Sequence, residues 1–247
     1  MISDVTTWNP NILYELGLRH ASRKGGTILL KNSDTTLPFD LNICPTLTYR
    51  LTYTGKATDI GSSEFKLDGD AAESLRPKLV EAIKAELGGE STLSPLHVCF
   101  PELHVDLPRE PCVFIGHGRS KLWARVQLFL EKELGLTTTN YESESRVGES
   151  FVPILEKMLN QATFAVLILT GEDETQGAQK RARQNVIHEA GLFQGVLGFN
   201  RAVVLKQDNL EDFSNIAGLQ FISFDGENIE KTFWELQKVL KREKLIA

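Results

Sequence analysis

Phe164 to Leu169 is apolar at every position, without the polar alternation of a strand that has one wet face. That pattern predicts a strand buried on both faces. Ala202 to Leu205 reads the same way, and Cys112 to Gly116 is a shorter apolar run closed by glycine. Between these runs the hydrophobic spacing becomes helical. From Lys121 to Leu134 the apolar positions Leu122, Val126, Phe129 and Leu130 share one helix face, and Gly135 is a natural stop. Phe151 to Leu159 predicts a second helix with Pro153 in its first turn. Thr137 to Tyr141 is β-prone, and Glu142–Gly148 and Gly171–Lys180 are polar loops. A helix carrying Glu189 follows, then the strand at Ala202, a last strand over Leu219–Phe224 and a last helix over Ile229–Leu240. Strands that alternate with helices predict an α/β fold with a doubly wound parallel sheet.

The early part of the chain repeats a piece of this pattern. Asn185-Val186-Ile187-His188-Glu189-Ala190-Gly191-Leu192 matches Asn11-Ile12-Leu13-Tyr14-Glu15-Leu16-Gly17-Leu18, with Asn, Glu, Gly and Leu identical. Each copy leads into a β-rich run ending in lysine, Thr27–Lys31 and Ala202–Lys206. A repeat of this kind implies two related modules, each with a helix bearing a carboxylate. The first module has that helix, the Thr27–Lys31 strand, a β-prone run at Thr48–Tyr53 and a helix over Ala71–Leu87. It lacks the strands and helices that precede Glu189 in the second. The sequence therefore predicts an incomplete N-terminal α/β module whose sheet edge is covered by residues upstream of Met1 or by another chain. Gly88–Pro111, rich in Gly, Pro and Ser, reads as a linker. The expected division is 1–108 for the partial module with its linker and 109–247 for the complete one.

Composition narrows the function. The chain has 247 residues, 41% hydrophobic and 24% charged, as an ordinary globular protein does. A net charge of −6 gives no basic footprint for nucleic acid. No apolar run approaches the roughly 20 residues of a membrane span, and Asp4 interrupts any signal peptide. Cys44, Cys99 and Cys112 lack metal-ligand spacing and read as reduced thiols in a cytoplasmic protein. The histidines are not paired at metal-binding spacing either, so no metal and no resident cofactor are expected.

A glutamate in the apolar middle of a helix is costly to bury. Two readings of Glu189 follow: a working carboxylate, or a structural one tied to Arg181 or Arg183. These two arginines sit at the start of that helix, where cations oppose its dipole. They serve an anionic ligand or an acidic partner, with Glu172-Asp173-Glu174 the structural choice. Gly116-His117-Gly118-Arg119 follows the first strand of its module, where ligands of doubly wound sheets bind. Its glycines permit close approach of a phosphate and the next helix favours one, although the same residues also make a plain tight turn. Trp123 is a stacking platform or a core residue.

Four segments together resemble a TIR-like domain. They are Val113-Phe114-Ile115-Gly116-His117-Gly118; Phe129-Leu130-Glu131-Lys132-Glu133-Leu134-Gly135-Leu136; Ala165-Val166-Leu167-Ile168-Leu169-Thr170; and Arg181-Ala182-Arg183-Gln184-Asn185-Val186-Ile187-His188-Glu189. The resemblance covers Cys112 to the end and is similar to the bacterial TIR-like domains of cyclic-nucleotide-triggered antiphage effectors. His188 stands where that family often has an aromatic, and Ala190 where it often has Leu. The resemblance implies a flavodoxin-like fold, assembly into a homo-oligomer on activation, a cyclic or other nucleotide as activator, and cleavage of NAD at the nicotinamide–ribose bond by one glutamate. Glu189 holds that position. Gly116, His117, Gly118, Arg119, Trp123, Arg183 and Asn185 are then the expected substrate-binding residues, with Arg119 and Lys121 facing the pyrophosphate and Trp123 a ring of NAD. Residues Asp4 to Ala21 are similar to nucleoside-deoxyribosyltransferase-like or nucleotide-sensing domains that are fused to TIR-like domains.

Two functions stand at this point. One is an NAD glycohydrolase effector in antiphage defence. The other is a non-catalytic TIR-like module that binds nucleotides or proteins. A third, weaker option is nucleoside deoxyribosyl transfer.

Overall fold

The structure is a computed structural model, and it describes residues 1–23, 25–37, 41–42, 44–52, 66–67, 69–88, 110–142, 151–174, 180–210 and 221–247. Most of the expected linker at Gly88–Pro111, Cys99 and most of the Glu142–Gly148 loop lie outside them.

The larger unit is a five-stranded parallel sheet. Its strands are β6 (Cys112–His117), β7 (Thr137–Thr139), β8 (Phe164–Leu169), β11 (Ala202–Gln207) and β12 (Ile222–Phe224), in the order β12-β11-β8-β6-β7. Every residue of the central strand β8 is buried, as its unbroken apolar run requires. Alternate side chains feed two cores. Val113, Ile115, Val166, Ile168, Val203 and Leu205 join one core with helix α3 (Leu122–Leu128) and helix α6 (Phe233–Arg242). Phe114, Ala165, Leu167, Leu169, Ala202 and Val204 join the other with helix α4 (Phe151–Gln161) and helix α5 (Gln184–Leu197).

A smaller sheet carries the first module. Strand β1 (Ile2–Asp4) lies parallel to β2 (Ile28–Asn32), and β2 parallel to β3 (Thr46–Tyr49). Helix α1 (Pro10–Ser22) connects the first two, and helix α2 (Gly69–Leu87) follows an antiparallel pair of β4 (Leu51–Thr52) and β5 (Lys66–Leu67). The succession β1–α1–β2–β3 corresponds to β8–α5–β11–β12 in order and in its parallel pairing, with two further strands inserted between β8 and α5. The repeated motif therefore marks the same structural position twice. Sequence reading misses β1, because three residues are too few to show a period.

The two copies pack on each other. A Cβ added to Gly17 would overlap the carbonyl oxygen of His188, and one added to Gly191 would overlap the carbonyl oxygen of Tyr14. Those pairs exchange under the motif's own correspondence, Gly17 with Gly191 and Tyr14 with His188. The side chains obey the same rule: the Tyr14 hydroxyl donates to Gln194 and His188 meets His20, with their ring nitrogens 3.4 Å apart. Helices α1 and α5 thus form a pseudo-two-fold pair whose backbones touch, a close approach that only glycine permits. One core runs through both modules, from Val5, Leu13 and Leu29 to Phe114, Ala190 and Phe193.

Three expectations need correction. The Lys121–Leu134 helix is α-helical only to Leu128 and ends in a π-helical turn, Phe129–Glu133, with the Leu134 amide donating to Phe129 O at 3.2 Å. Apolar spacing does not distinguish the wider turn. The polar loop Gly171–Lys180 contains strand β9 (Gly171–Glu174), paired antiparallel with β10 (Lys180–Ala182). An acidic run carries no strand signal in sequence, and here backbone pairing makes one. The last helix begins as a 3-10 turn, Ile229–Thr232.

Candidate active site at the end of strand β6

Glu189 lies in the second turn of α5 and is only 3% exposed. It is the one carboxylate in the buried class among the described residues. The helix is buried from Gln184 to Gln194 because the sheet covers one side and α1 the other. Its carboxylate meets the carboxyl end of β6: a Cβ at Gly116 would lie 3.0 Å from Glu189 Oε2 and would press on Leu167. Glycine at position 116 is thus what lets the carboxylate reach the strand end.

His117 follows Gly116 and meets Trp123 of α3, which packs on the other face of the sheet from α5. Their rings stack with centroids 4.7 Å apart and planes 15° from parallel. His117 Nδ1–H donates to the Gly118 carbonyl at 2.7 Å, and burial holds this imidazole below its ordinary range, so the ring is neutral at pH 7. Its Nε2 is then an acceptor, and Trp123 Nε1–H is a donor. Both atoms are buried without a hydrogen-bond partner among the described residues.

The next residues hold an anion supplied by the chain itself. Glu172, on β9, accepts from the Arg119 amide at 2.6 Å, from the Ser120 amide at 3.0 Å and from the Thr170 hydroxyl at 2.6 Å. A Cβ on Gly118 would overlap this carboxylate. Burial alone raises the pKa of Glu172, but the three hydrogen bonds and the charge of Arg183 outweigh it and leave the group below the usual carboxylate range. The acidic partner expected for Arg183 is therefore present. Arg181 instead donates to the Trp8 carbonyl at 3.3 Å, across the junction of the modules.

The remaining expected site residues divide. Asn185 is buried in the first turn of α5, and Arg183 caps that helix, half-buried. The Arg119 side chain is exposed and contributes its backbone amide. The Lys121 ammonium pairs with Glu142 at 2.8 Å and lies 5.7 Å from the centre of the Trp123 ring. Sequence reading did not assign Glu172 to the site, since it belongs to a different element from the loop it fills. Thr170, buried and bonded to it, went unread for the same reason. Among the described residues no helix is long and apolar enough to cross a membrane.

A five-stranded parallel sheet with this helix arrangement and a strand-end carboxylate defines a flavodoxin-like α/β fold of TIR type. Residues 112–226 match the family described as "CAP12/Pycsar effector protein, TIR domain", which supports a TIR-like domain of the bacterial antiphage effector kind in this part of the chain. The chain is also similar to "Uncharacterized protein YuaY" of Escherichia coli, with 26% identity over 167 residues, 65% of this chain. The match spans 55% of that protein's length.

Proposed function

We infer that the protein is an NAD glycohydrolase effector, with Glu189 as the catalytic residue. The observation that carries this reading is the burial of Glu189 against Gly116 at the carboxyl end of a parallel strand, the position at which such sheets bind ligands. Cleavage of the nicotinamide–ribose bond develops positive charge at C1′. A sugar ether needs a second carboxyl group as acid for its leaving group. Nicotinamide in NAD is already cationic, takes the bonding electron pair and departs neutral, so no acid is required. One desolvated carboxylate beside C1′ then stabilises the oxocarbenium or captures it. Water adds at C1′ and releases a proton, giving ADP-ribose.

His117 and Trp123 form an aromatic wall for the departing ring, with one free acceptor and one free donor. Gly116, Gly118 and Arg119 line the phosphate side, and Arg183 and Asn185 border the carboxylate. A nucleotide, cyclic or other, is the activator in this reading, a homo-oligomer is the active form, and the cytoplasmic NAD pool is the target.

Nicotinamide release from NAD by the purified full chain, followed by chromatography with and without cyclic nucleotides, tests it. Release that Glu189→Gln abolishes is the expected result. No release under any condition, together with retained nucleotide binding, would instead favour the non-catalytic module.

A further inference from the structure

Two consecutive backbone amides, Arg119 and Ser120, point at the two oxygens of one carboxylate. Successive N–H groups in this arrangement form an anion-binding concavity. Gly118 keeps the cradle open, since any side chain there would meet the anion. The cradle follows Gly116, which touches Glu189, and it is bracketed by His117 and Trp123. Those two residues carry the buried, unmet ring nitrogens noted above. Buried polar atoms of this kind are rare and call for a partner. The loop thus has the features of a ligand wall, and its anion position is already taken by Glu172.

We propose that Glu172 is a self-occluding anion that holds the phosphate position of the pocket closed in the resting chain. The proposal rests on the NAD reading above, because the pyrophosphate is the anionic part of that substrate and must displace the carboxylate to enter. Release is local. The base of the β9–β10 hairpin is pinned where the Gly171 amide donates to Gln207 Oε1 at 2.8 Å, and Gln207 Nε2 donates to Gly226 O at 2.7 Å. Glu172 is the next residue, so its side chain can swing out while the hairpin base stays in place. The hairpin runs directly into α5, so anything that repositions it acts at once on the anion cradle and on the helix that carries Glu189.

The experiment titrates ADP, which carries a pyrophosphate and is not cleaved, into the full-length parent and into Glu172→Gln by calorimetry, with adenosine as the uncharged control. An occluded site weakens apparent affinity by the fraction of chains that are open, so Glu172→Gln is expected to bind ADP about ten-fold or more tightly than the parent. Adenosine affinity stays the same. Equal ADP affinity in the two chains overturns the proposal, and so does an equal gain for adenosine, which would mean that space rather than charge was freed. Thr170→Val, which removes one of the three bonds to the carboxylate, is expected to shift ADP binding in the same direction by less, and it carries the test if Glu172→Gln does not fold. Nicotinamide release is read on the same samples. A gain in ADP binding with no release from any chain keeps the occlusion and sinks the glycohydrolase reading. Release by the parent with unchanged ADP binding does the reverse.

Discussion

Helices α1 and α5 carry the same motif, yet Glu15 is exposed and Glu189 is buried. The helices do not differ in kind. Each opens with an asparagine near its start, places the glutamate one turn later and then a glycine against the other helix. The difference lies in the strand beyond. In the second module β6 pairs with β8 and brings Gly116 to the carboxylate. In the first, β1 takes the place of β8, and among the described residues no strand pairs with its other side. A helix supplies a carboxylate in both modules, but in the second the neighbouring strand helps to bury it. Desolvation separates a surface charge from a buried one.

The sharpest way to break this comparison is at Glu189. Glu189→Gln keeps the shape and removes the charge, and a loss of NAD cleavage on the order of a hundred-fold or more is expected. Circular dichroism should be unchanged. A variant within a few-fold of the parent would remove Glu189 from the chemistry.

Next comes the junction. A methyl group at Gly191 meets the Tyr14 backbone, which has little room to move. Gly191→Ala is expected to lower stability by about 1–3 kcal/mol, as forced overpacking does. Gly17→Ala should act alike if the pair is as symmetric as its contacts. Urea unfolding of both variants measures this, and a neutral result at either glycine would show that the two sides are not equivalent.

Assembly offers a third test. Among the described residues no strand pairs with the outer side of β1, an edge of the kind that takes up pairing partners, and Ile2 is 51% exposed. Specific activity is expected to rise with protein concentration in parallel with the mass seen by light scattering. A monomer with constant specific activity would contradict this.

The smallest effect is expected at Glu15. Without a wall to position a substrate beside it, a carboxylate forgoes the proximity term, about 7–11 kcal/mol in well-oriented cases. Glu15→Ala should therefore leave NAD cleavage within about two-fold of the parent. A loss equal to that of Glu189→Gln would end the division between the modules.

Much of the fold was legible before any coordinates. The unbroken run at Phe164–Leu169 marks the central strand, and the repeat around Glu15 and Glu189 marks equivalent helices, because both signals are local and periodic. The π-helical turn at Phe129–Glu133 was not legible, since it keeps the apolar face while widening the coil. Of the candidate site, Glu189 and Gly116 come together from motifs. Glu172 reaches the Gly118 loop from 53 residues along the chain, and nothing in an acidic stretch announces which amides it will find.

The pairing of α1 with α5 has a mechanical consequence. Two helices that touch main chain to main chain have no soft side-chain layer between them to absorb a displacement. A displacement of α1 is therefore passed to α5 through main-chain contacts. It arrives within one turn of Glu189, because His188 and Gly191 are themselves the points of contact. The duplicated helix thus bears directly on the one that carries Glu189.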